Sequence, residues 1–342
     1  MSGLLGLLFT NLTLPPASAI QGKTILITGG NTGLGREAAR HAARLGADTI
    51  ILAVRSLAKG EEAKSDIESS TGCSNTIRLL VWLVDLESFA SVKSFAARAR
   101  KYVFEEGGRI DMAIMNAGIA SMQFAVSGDG WEKGLQVNVL STAQLALHLM
   151  PLLLRTAQER GPSSRPHLVF VTSDNHMTIK FPEQHSSDGI LRRMNDEEQW
   201  KKSQAAGGPT ERYGATKLMD LFISEELARR TPCDTRTGEP LVIVNAVAPG
   251  FCKSDLLTRE KTPWILKVVQ ALIARTAENG SKTLLHAATQ GVETHGKYLD
   301  HQAIAVPGKL ATGSGATALR EKMWVEITDV VKEADPDVPT EF

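Results

Sequence analysis

A glycine-rich turn near the N-terminus constrains the fold of this chain more than any other feature. The apolar run Thr24–Thr28 leads into the turn, and a segment with helical periodicity follows it at once. This order predicts a buried strand, a tight turn and a helix N-terminus, because glycine lets the backbone turn where a Cβ would intrude. In doubly wound α/β folds such a turn receives a dinucleotide pyrophosphate. The residues expected to face the pyrophosphate are Gly29, Asn31, Thr32, Gly33, Leu34 and Gly35.

The spacing of these glycines differs from the commonest G-x-G-x-x-G fingerprint, so an ordinary strand-to-helix turn is the alternative. The next predicted strand, Thr49–Val54, supplies independent evidence for a dinucleotide, because Arg55 follows it directly. An acidic residue at this point binds the ribose of NAD, whereas the planar fork of an arginine suits the 2′-phosphate of NADP. Arg55 therefore favours NADP, and Lys59 one helical turn further would add positive charge, with a solvated helix surface as the alternative for Lys59. A solvated arginine at a strand end is the other interpretation.

Six apolar runs separated by helical stretches predict an α/β fold. They imply a Rossmann-type, doubly wound parallel sheet that is covered on both faces. A single enlarged domain accounts for the 342 residues as well as two small domains would. The runs are Thr24–Thr28, Thr49–Val54, 79–84, Met112–Met115, 167–172 and 241–247, with long helices expected over 88–103, 131–155 and 213–230.

Two irregular stretches follow carboxyl ends of these strands, where open α/β sheets bind ligands. The polar stretch 174–212 contains prolines and glycines, so it is predicted to be a long insertion loop rather than a continuous helix or a central strand. The stretch 251–276 carries an apolar helical patch and is predicted to be a lid. Together they indicate an apolar small-molecule ligand.

Both termini are expected to lie outside the nucleotide-binding domain, which spans 23–302. Residues 1–22 form an apolar arm that is interrupted by prolines and lacks a basic start, so neither a membrane span nor a signal peptide is expected. We expect the arm to pack on the domain, and association with a membrane surface is the alternative. Residues 303–342 are expected to form a solvated acidic helix and a loose tail.

Composition argues against several classes of function. The chain has 38 basic and 38 acidic residues without a basic stripe, so nucleic acid is not an expected partner. Its three cysteines and eight histidines are scattered, and no metal site is expected. Cysteines without a pairing pattern favour a reducing, cytoplasmic location.

Tyr213 and Lys217 give the first indication of chemistry. They stand at positions i and i+4, which a helix places on one face. A neighbouring cation favours the phenolate and moves the pKa of a tyrosine from roughly 10 toward the operating pH, where proton transfer is efficient. A surface helix also produces such a pair by chance.

Further polar residues and glycines stand at the ends of the other predicted strands. Together with the glycine turn, Tyr213 and Lys217, they make residues 23–301 resemble the short-chain dehydrogenase/reductase family. The remaining matched residues are Asp85, Asn116, Ala117, Gly118, Asn138, Ser173, Pro249 and Gly250. The resemblance implies a single-domain Rossmann-type oxidoreductase that acts on carbonyls or alcohols.

The resemblance also implies a role for each matched residue. Tyr213 would protonate the carbonyl oxygen during reduction, and Lys217 would lower the pKa of Tyr213 and hold the nicotinamide ribose. Ser173 would hydrogen-bond the substrate oxygen, and Asn138 would anchor a water that links Lys217 to solvent. The implied cofactor contacts are Asp85 at the adenine, Asn116, Ala117 and Gly118 beside the adenosine ribose, and Val247, Pro249, Gly250 and Ser254 around the nicotinamide and pyrophosphate.

Within the family, the chain is most similar to the retinol-dehydrogenase-like branch, particularly its fungal members found with secondary-metabolite genes. Residues 53–56, 84–86 and 322–324 carry this narrower resemblance. The chain departs from the family pattern in the long separation of Ser173 from Tyr213 and in Ser254, where threonine is usual. The leading interpretation is the NADP-dependent reduction of an apolar ketone or aldehyde, such as a secondary-metabolite intermediate.

Other interpretations stay open at this point. The same residues would serve an alcohol dehydrogenase that oxidises a retinoid, a steroid or a similar lipid alcohol. A non-catalytic NADP-binding sensor or scaffold is a hypothesis of another class, which the presence of all four catalytic residue types disfavours. The resemblance also allows a homodimer paired through the helices that contain Asn138 and Tyr213.

Overall fold

The strand that precedes the glycine turn lies in the middle of a parallel sheet. The computed structural model describes residues 11–74, 76–161, 164–208, 210–252 and 274–342. Its strands are β1 Thr24–Thr28, β2 Thr49–Val54, β3 Arg78–Leu83, β4 Met112–Met115, β5 His167–Val171, β6 Ile243–Ala248, β7 Tyr298–Asp300 and β8 Ala303–Ile304. Within the described residues the sheet has 8 strands in the order β3-β2-β1-β4-β5-β6-β7-β8, and β8 runs antiparallel to β7.

The strands predicted from the sequence are confirmed, with small shifts at their ends. The sequence did not indicate β7 and β8. Because β7 is 3 residues long and β8 only 2, neither produces a periodic signal. The strand order reverses between β1 and β4, which is where a doubly wound sheet leaves a crevice for a ligand.

Helices cover both faces of this sheet. They are α1 Ala17–Ile20, α2 Gly33–Arg44, α3 Leu57–Thr71, α4 Phe89–Phe104, α5 Lys133–Arg160, α6 Ile190–Met194, α7 Glu197–Gly207, α8 Glu211–Arg230, α9 Ala277–Ala287, α10 Lys309–Thr312 and α11 Ala316–Ala334. The predicted long helices correspond to α4, α5 and α8. A π-helical turn, Gln136–Leu140, interrupts α5.

Alternate residues of the strands face two different cores, as the pleat of a strand requires. Leu26 of β1 belongs to the same core as Phe95, Leu147 and Phe222 of α4, α5 and α8. Ile25 and Ile27 face the opposite core, which includes residues of α2 and α9. Five strands, β1, β2, β4, β5 and β6, are buried along their whole length, which is typical of a parallel sheet covered on both faces.

The helix α5 is long and apolar enough to cross a membrane, but 83% of its most apolar window is buried inside the protein. Its residues pack against α4 and the sheet in the core. It is therefore a core helix.

The insertion 174–212 is confirmed not to be a continuous helix or a central strand, but the expectation of a loop needs correction. It contains the 3-10 turns Asp174–Met177 and Pro182–His185, followed by α6 and α7. Apolar side chains within the polar sequence explain the difference, because each of them is buried against the domain. These side chains are Phe181, Ile190, Leu191, Met194 and Trp200.

The C-terminal region is likewise more buried than its acidic composition predicted. Met323, Ile327 and Val331 of α11 are buried in the main core, so the expectation of a solvated helix with a loose end is wrong. Asp335 after this helix is 0% exposed. Lys93, His148 and Gln144 bind its carboxylate and so compensate for the loss of water. The helix α11 packs on α8 and on α5, the two helices through which the expected homodimer would pair.

The described part of the N-terminal arm packs on the domain, as predicted. Leu12 is buried, and Thr13 exchanges two hydrogen bonds with the side chain of Gln302. Lys282 of α9 also donates to the carbonyl of Leu12. Residues 1–10, which carry most of the apolar run, lie outside the described residues.

Candidate active site

The turn after β1 has the close backbone packing that its glycines predicted. Gly29 has a φ of +66°, and a Cβ on Gly35 would lie 2.5 Å from the Gly29 carbonyl oxygen. Gly33 also has a positive φ, and a Cβ there would meet nothing within 4 Å. The N-terminus of α2, which no side chain caps, thus begins beside open space. A helix N-terminus of this kind attracts a phosphate through its free N–H groups and its dipole.

The predicted adenosine-side residue Asn116 has an additional role that the sequence did not indicate. Its Nδ2 donates to the carbonyl oxygen of Thr28 at 2.8 Å. The Thr28 hydroxyl in turn accepts from the backbone N–H groups of Asn116 and Ala117, each at 2.9 Å. These bonds connect the end of β4 to the end of β1, so Asn116 and Thr28 hold the glycine turn in place.

Arg55 lies at the end of β2, as predicted, with its side chain 58% exposed. Its Nη1 donates to the Glu87 carboxylate at 2.7 Å, and Lys133 binds the other oxygen of Glu87 at the same distance. Asp85 accepts from the backbone N–H of Glu87 through Oδ1. Lys59 is exposed on the first turn of α3. Arg55 and Lys133 thus share the carboxylate of Glu87, which already occupies the Arg55 guanidinium.

Ser173 and Tyr213 meet at the carboxyl end of β5. The Ser173 hydroxyl donates to Asp174 at 3.2 Å and accepts from the Asn175 N–H at 3.3 Å. It also lies close enough to the Tyr213 phenol to act on it, because its hydrogen-bonding effect lowers the pKa of that phenol. Tyr213 lies in the first turn of α8, and Gly214 lets this helix approach the turn after Ser173. A Cβ on Gly214 would lie 2.9 Å from the Asn175 carbonyl oxygen, so glycine is required there.

Lys217 lies one helical turn after Tyr213 with its side chain 4% exposed. Its Nζ is 5.8 Å from the centroid of the Tyr213 ring, so the predicted face of the helix is confirmed. The ammonium donates to the Val171 carbonyl oxygen at 2.9 Å and to the Asp220 carboxylate at 2.8 Å. The sequence analysis missed Asp220, although its i+3 spacing from Lys217 on a helix was a usable signal.

Asn138 lies in the π-helical turn of α5, a type of irregularity that is frequent at functional sites. Its Oδ1 accepts from the N–H of Ile119, and its Nδ2 donates to the Ile119 carbonyl and to Thr216. A Cβ on Gly118 would be 3.2 Å from Asn138 Oδ1 and 3.4 Å from Lys217 Nζ. Gly118 thus lies between the asparagine and the lysine, and Asn138 joins the loop after β4 to α8.

The electrostatics of the pair differ from the simple expectation for a tyrosine beside a cation. Burial raises the pKa of the Tyr213 phenol, and this effect outweighs the opposing effect of Lys217. Burial lowers the pKa of the Lys217 ammonium, but Asp220 and Tyr213 more than compensate and leave it above its ordinary value. In the free protein Tyr213 is therefore a protonated phenol beside a charged ammonium, which suits a proton donor.

His176 is a second residue that sequence reasoning missed. Its Nδ1 lies 2.5 Å from the Ser173 carbonyl oxygen, and its Nε2 accepts from the N–H of Gly308 at 3.1 Å. Burial lowers the pKa of its imidazole, which keeps the ring neutral and able to accept that bond. The C-terminal segment is thereby connected to the turn that carries the serine.

The nicotinamide side is described only in part. Val247 is buried in β6, and Gly250 after it has a φ of +73°. The carbonyl oxygen of Pro249 accepts a hydrogen bond from the thiol of Cys252. Ser254 and most of the predicted lid lie outside the described residues.

Most of the chain is similar to known proteins. Residues 23–179 match the short chain dehydrogenase family. The chain is 40% identical over 327 residues to the short-chain dehydrogenase/reductase ffsI of Aspergillus flavipes, across 94% of this chain and 90% of that protein. It is 43% identical over 289 residues to the short chain dehydrogenase atnD of Emericella nidulans, across 83% and 85% of the two chains.

Among solved structures, the fold is similar to that of a short chain dehydrogenase of Shigella flexneri 2a complexed with NADP. The TM-score is 0.55 at 23% identity, over 83% of this chain and 98% of that one. At this identity the likeness concerns the fold alone. The described residues contain no group of three His, Cys, Asp or Glu side chains that could hold a metal ion.

Proposed function

Because this chain belongs to the short-chain dehydrogenase/reductase family and is an oxidoreductase of that class, we propose that it reduces the carbonyl of an apolar small molecule with NADPH. The observation that carries the proposal is the meeting of Ser173, Tyr213 and Lys217 at the carboxyl end of β5. A hydroxyl, a protonated phenol and a buried ammonium converge there on one side of the sheet. These are the groups needed to bind and protonate a carbonyl oxygen.

The residues present fit a dinucleotide. The open space at Gly33, the uncapped N-terminus of α2 and the close packing of Gly35 would hold the pyrophosphate. Arg55 would bind a 2′-phosphate in place of the Glu87 carboxylate, since phosphate and carboxylate suit the same guanidinium fork. When bound, the nicotinamide supplies the hydride.

The protein's own contribution is to position the substrate and to move a proton. Ser173 and Tyr213 donate hydrogen bonds to the carbonyl oxygen, so that the carbonyl carbon is left to face the nicotinamide. As negative charge develops on that oxygen, the Tyr213 phenol transfers its proton to it. The Lys217 ammonium stabilises the phenolate that this transfer leaves. Asn138 and Gly118 would place a water beside the ammonium, from which the proton is replaced.

Substrate class rests on the surroundings of the site. We infer an apolar ketone or aldehyde, such as a secondary-metabolite intermediate, because the insertion 174–212 directly joins Ser173 to Tyr213 and carries apolar side chains within its polar sequence. Oxidation of an alcohol would use the same groups in reverse.

Tyr213→Phe tests the proposal directly. It removes the phenolic proton and little volume, so we expect NADPH oxidation with a panel of aryl and alkyl ketones and aldehydes to fall at least about a thousandfold. NADPH affinity, measured by fluorescence titration, should stay within about twofold of that of the unmodified protein. A variant that still turns over any of these carbonyls at a similar rate would show that another group donates the proton.

A further inference from the structure

Asp220 lies beside the lysine of the active site, and no step described above uses it. It follows Lys217 by three residues on α8, and its Oδ2 is 2.8 Å from the Lys217 Nζ. Building on the proposed function, we propose that Asp220 is a positioning residue that keeps the Lys217 ammonium charged and fixed for the nicotinamide ribose and for Tyr213.

The energetics argue against a purely structural role. Both side chains are 4% exposed, and burying a charged pair contributes little to stability because desolvation offsets the attraction. The other carboxylate oxygen of Asp220 is buried and has no hydrogen-bond partner among the described residues. A neutral, well-packed pair of similar volume would stabilise the core as well or better. The arrangement is therefore explained by what Asp220 does to the lysine.

The geometry fixes the ammonium from two directions. Asp220 binds it from α8, and the Val171 carbonyl binds it from the end of β5, at 2.8 and 2.9 Å. An ammonium has three N–H donors. Two of them are thus directed away from the cleft, and the third remains for a cofactor hydroxyl or for the phenolate of Tyr213.

Among the charged groups around Lys217, Asp220 contributes most to keeping the ammonium protonated. The titratable groups that face the ammonium are Tyr213 and Asp220, both on α8. Asp174, in the turn after β5, faces the phenol of Tyr213. The loop after β4 and the helix α5 contribute Gly118 and Asn138, which are neutral. Without Asp220, burial would drive the ammonium to lose its proton at a lower pH.

The test measures NADPH binding and needs no substrate. Dissociation constants are determined by NADPH fluorescence between about pH 7 and pH 10 for the unmodified protein, Asp220→Asn, Lys217→Ala and the double variant. Asp220→Asn preserves the shape of the side chain and removes its charge. The matched control is Glu225→Gln, which removes a partly buried, ion-paired carboxylate of the same helix away from the site. Thermal unfolding of each protein confirms that it is folded.

We expect Asp220→Asn to weaken NADPH binding about tenfold at pH 9, with a smaller loss near pH 7, whereas Glu225→Gln has no effect. In the Lys217→Ala background the same substitution should change nothing, because its effect passes through the lysine. Equal losses in both backgrounds, a loss independent of pH, or no loss would overturn the role of Asp220. If Lys217→Ala itself binds NADPH normally, the proposed contact of the lysine with the cofactor is wrong, which is a separate failure.

Discussion

The two sides of the cleft are built in different ways. On the side of the glycine turn, close approaches of atoms leave no room for a Cβ, as where Gly35 meets the Gly29 carbonyl and the amide of Asn116. On the catalytic side, side chains from distant segments are connected, as when Lys217 binds the carbonyl of Val171, 46 residues earlier. The glycine turn therefore depends on the absence of side-chain atoms, whereas the catalytic side depends on the balance of buried charges.

On the side of the glycine turn, the largest loss of NADPH affinity should come from one added carbon atom at Gly35. Gly35→Ala places a Cβ 2.5 Å from the Gly29 carbonyl oxygen and 2.6 Å from the Asn116 amide, so the turn must shift. Overpacking of this kind costs about 1–3 kcal/mol, and we expect NADPH affinity to fall up to about a hundredfold. The control is Gly128→Ala, whose Cβ meets nothing and whose φ is ordinary. Similar affinities of the two variants in fluorescence titrations would contradict the account.

A smaller effect is expected from a charge on the same side. Arg55→Ala removes the only proposed fork for the 2′-phosphate and should weaken NADPH binding about tenfold. NADH lacks this phosphate and serves as the internal control, so its affinity should hardly change. If the affinities for NADPH and NADH fell equally in these titrations, Arg55 would not bind the 2′-phosphate.

The smallest effect concerns stability on the catalytic side, where α11 covers α8. Burial alone would raise the pKa of Asp335, but hydrogen bonds from Lys93, His148 and Gln144 outweigh it and lower it to about 2. Since the folded-state pKa is depressed, this stabilisation is present above about pH 4 and is lost as the pH falls toward 2. Asp335→Asn should lower the free energy of unfolding at neutral pH by about 1–2 kcal/mol. Urea denaturation should show that this difference shrinks with acidification, and a constant difference would argue against the charge.

The same contrast explains what the sequence could predict. Local patterns, namely the apolar runs, the glycine turn and the i, i+4 pair, predicted strands β1 to β6 along the chain and the shared helix face of Tyr213 and Lys217. These features depend on residues close along the chain or on the rules of parallel sheets. The positions of Arg55 at the end of β2 and of Asn138 on α5 follow from them. The family resemblance, and not a local pattern, added Ser173 to the pair of Tyr213 and Lys217.

Contacts between distant segments could not be predicted from local sequence patterns. The pairing of Arg55 with Glu87 and the link from His176 to Gly308 depend on how separate elements pack. Composition was misleading for 174–212 and for α11, because a few apolar side chains at the right spacing bury a mostly polar segment. Asp335 shows the same effect for a charge, since partners on α4 and α5 compensate its burial.

The most direct test of hydride transfer at this site follows a single atom. The protein is incubated with NADPH in which both hydrogens at the nicotinamide C4 position are deuterium and with the carbonyl panel, and the products are analysed by mass spectrometry and NMR. We predict that one deuterium appears on the carbinol carbon of the product, and that Tyr213→Phe forms none of this product although it binds the cofactor. Unlabelled alcohol, or labelled alcohol formed equally well by Tyr213→Phe, would contradict the proposed chemistry.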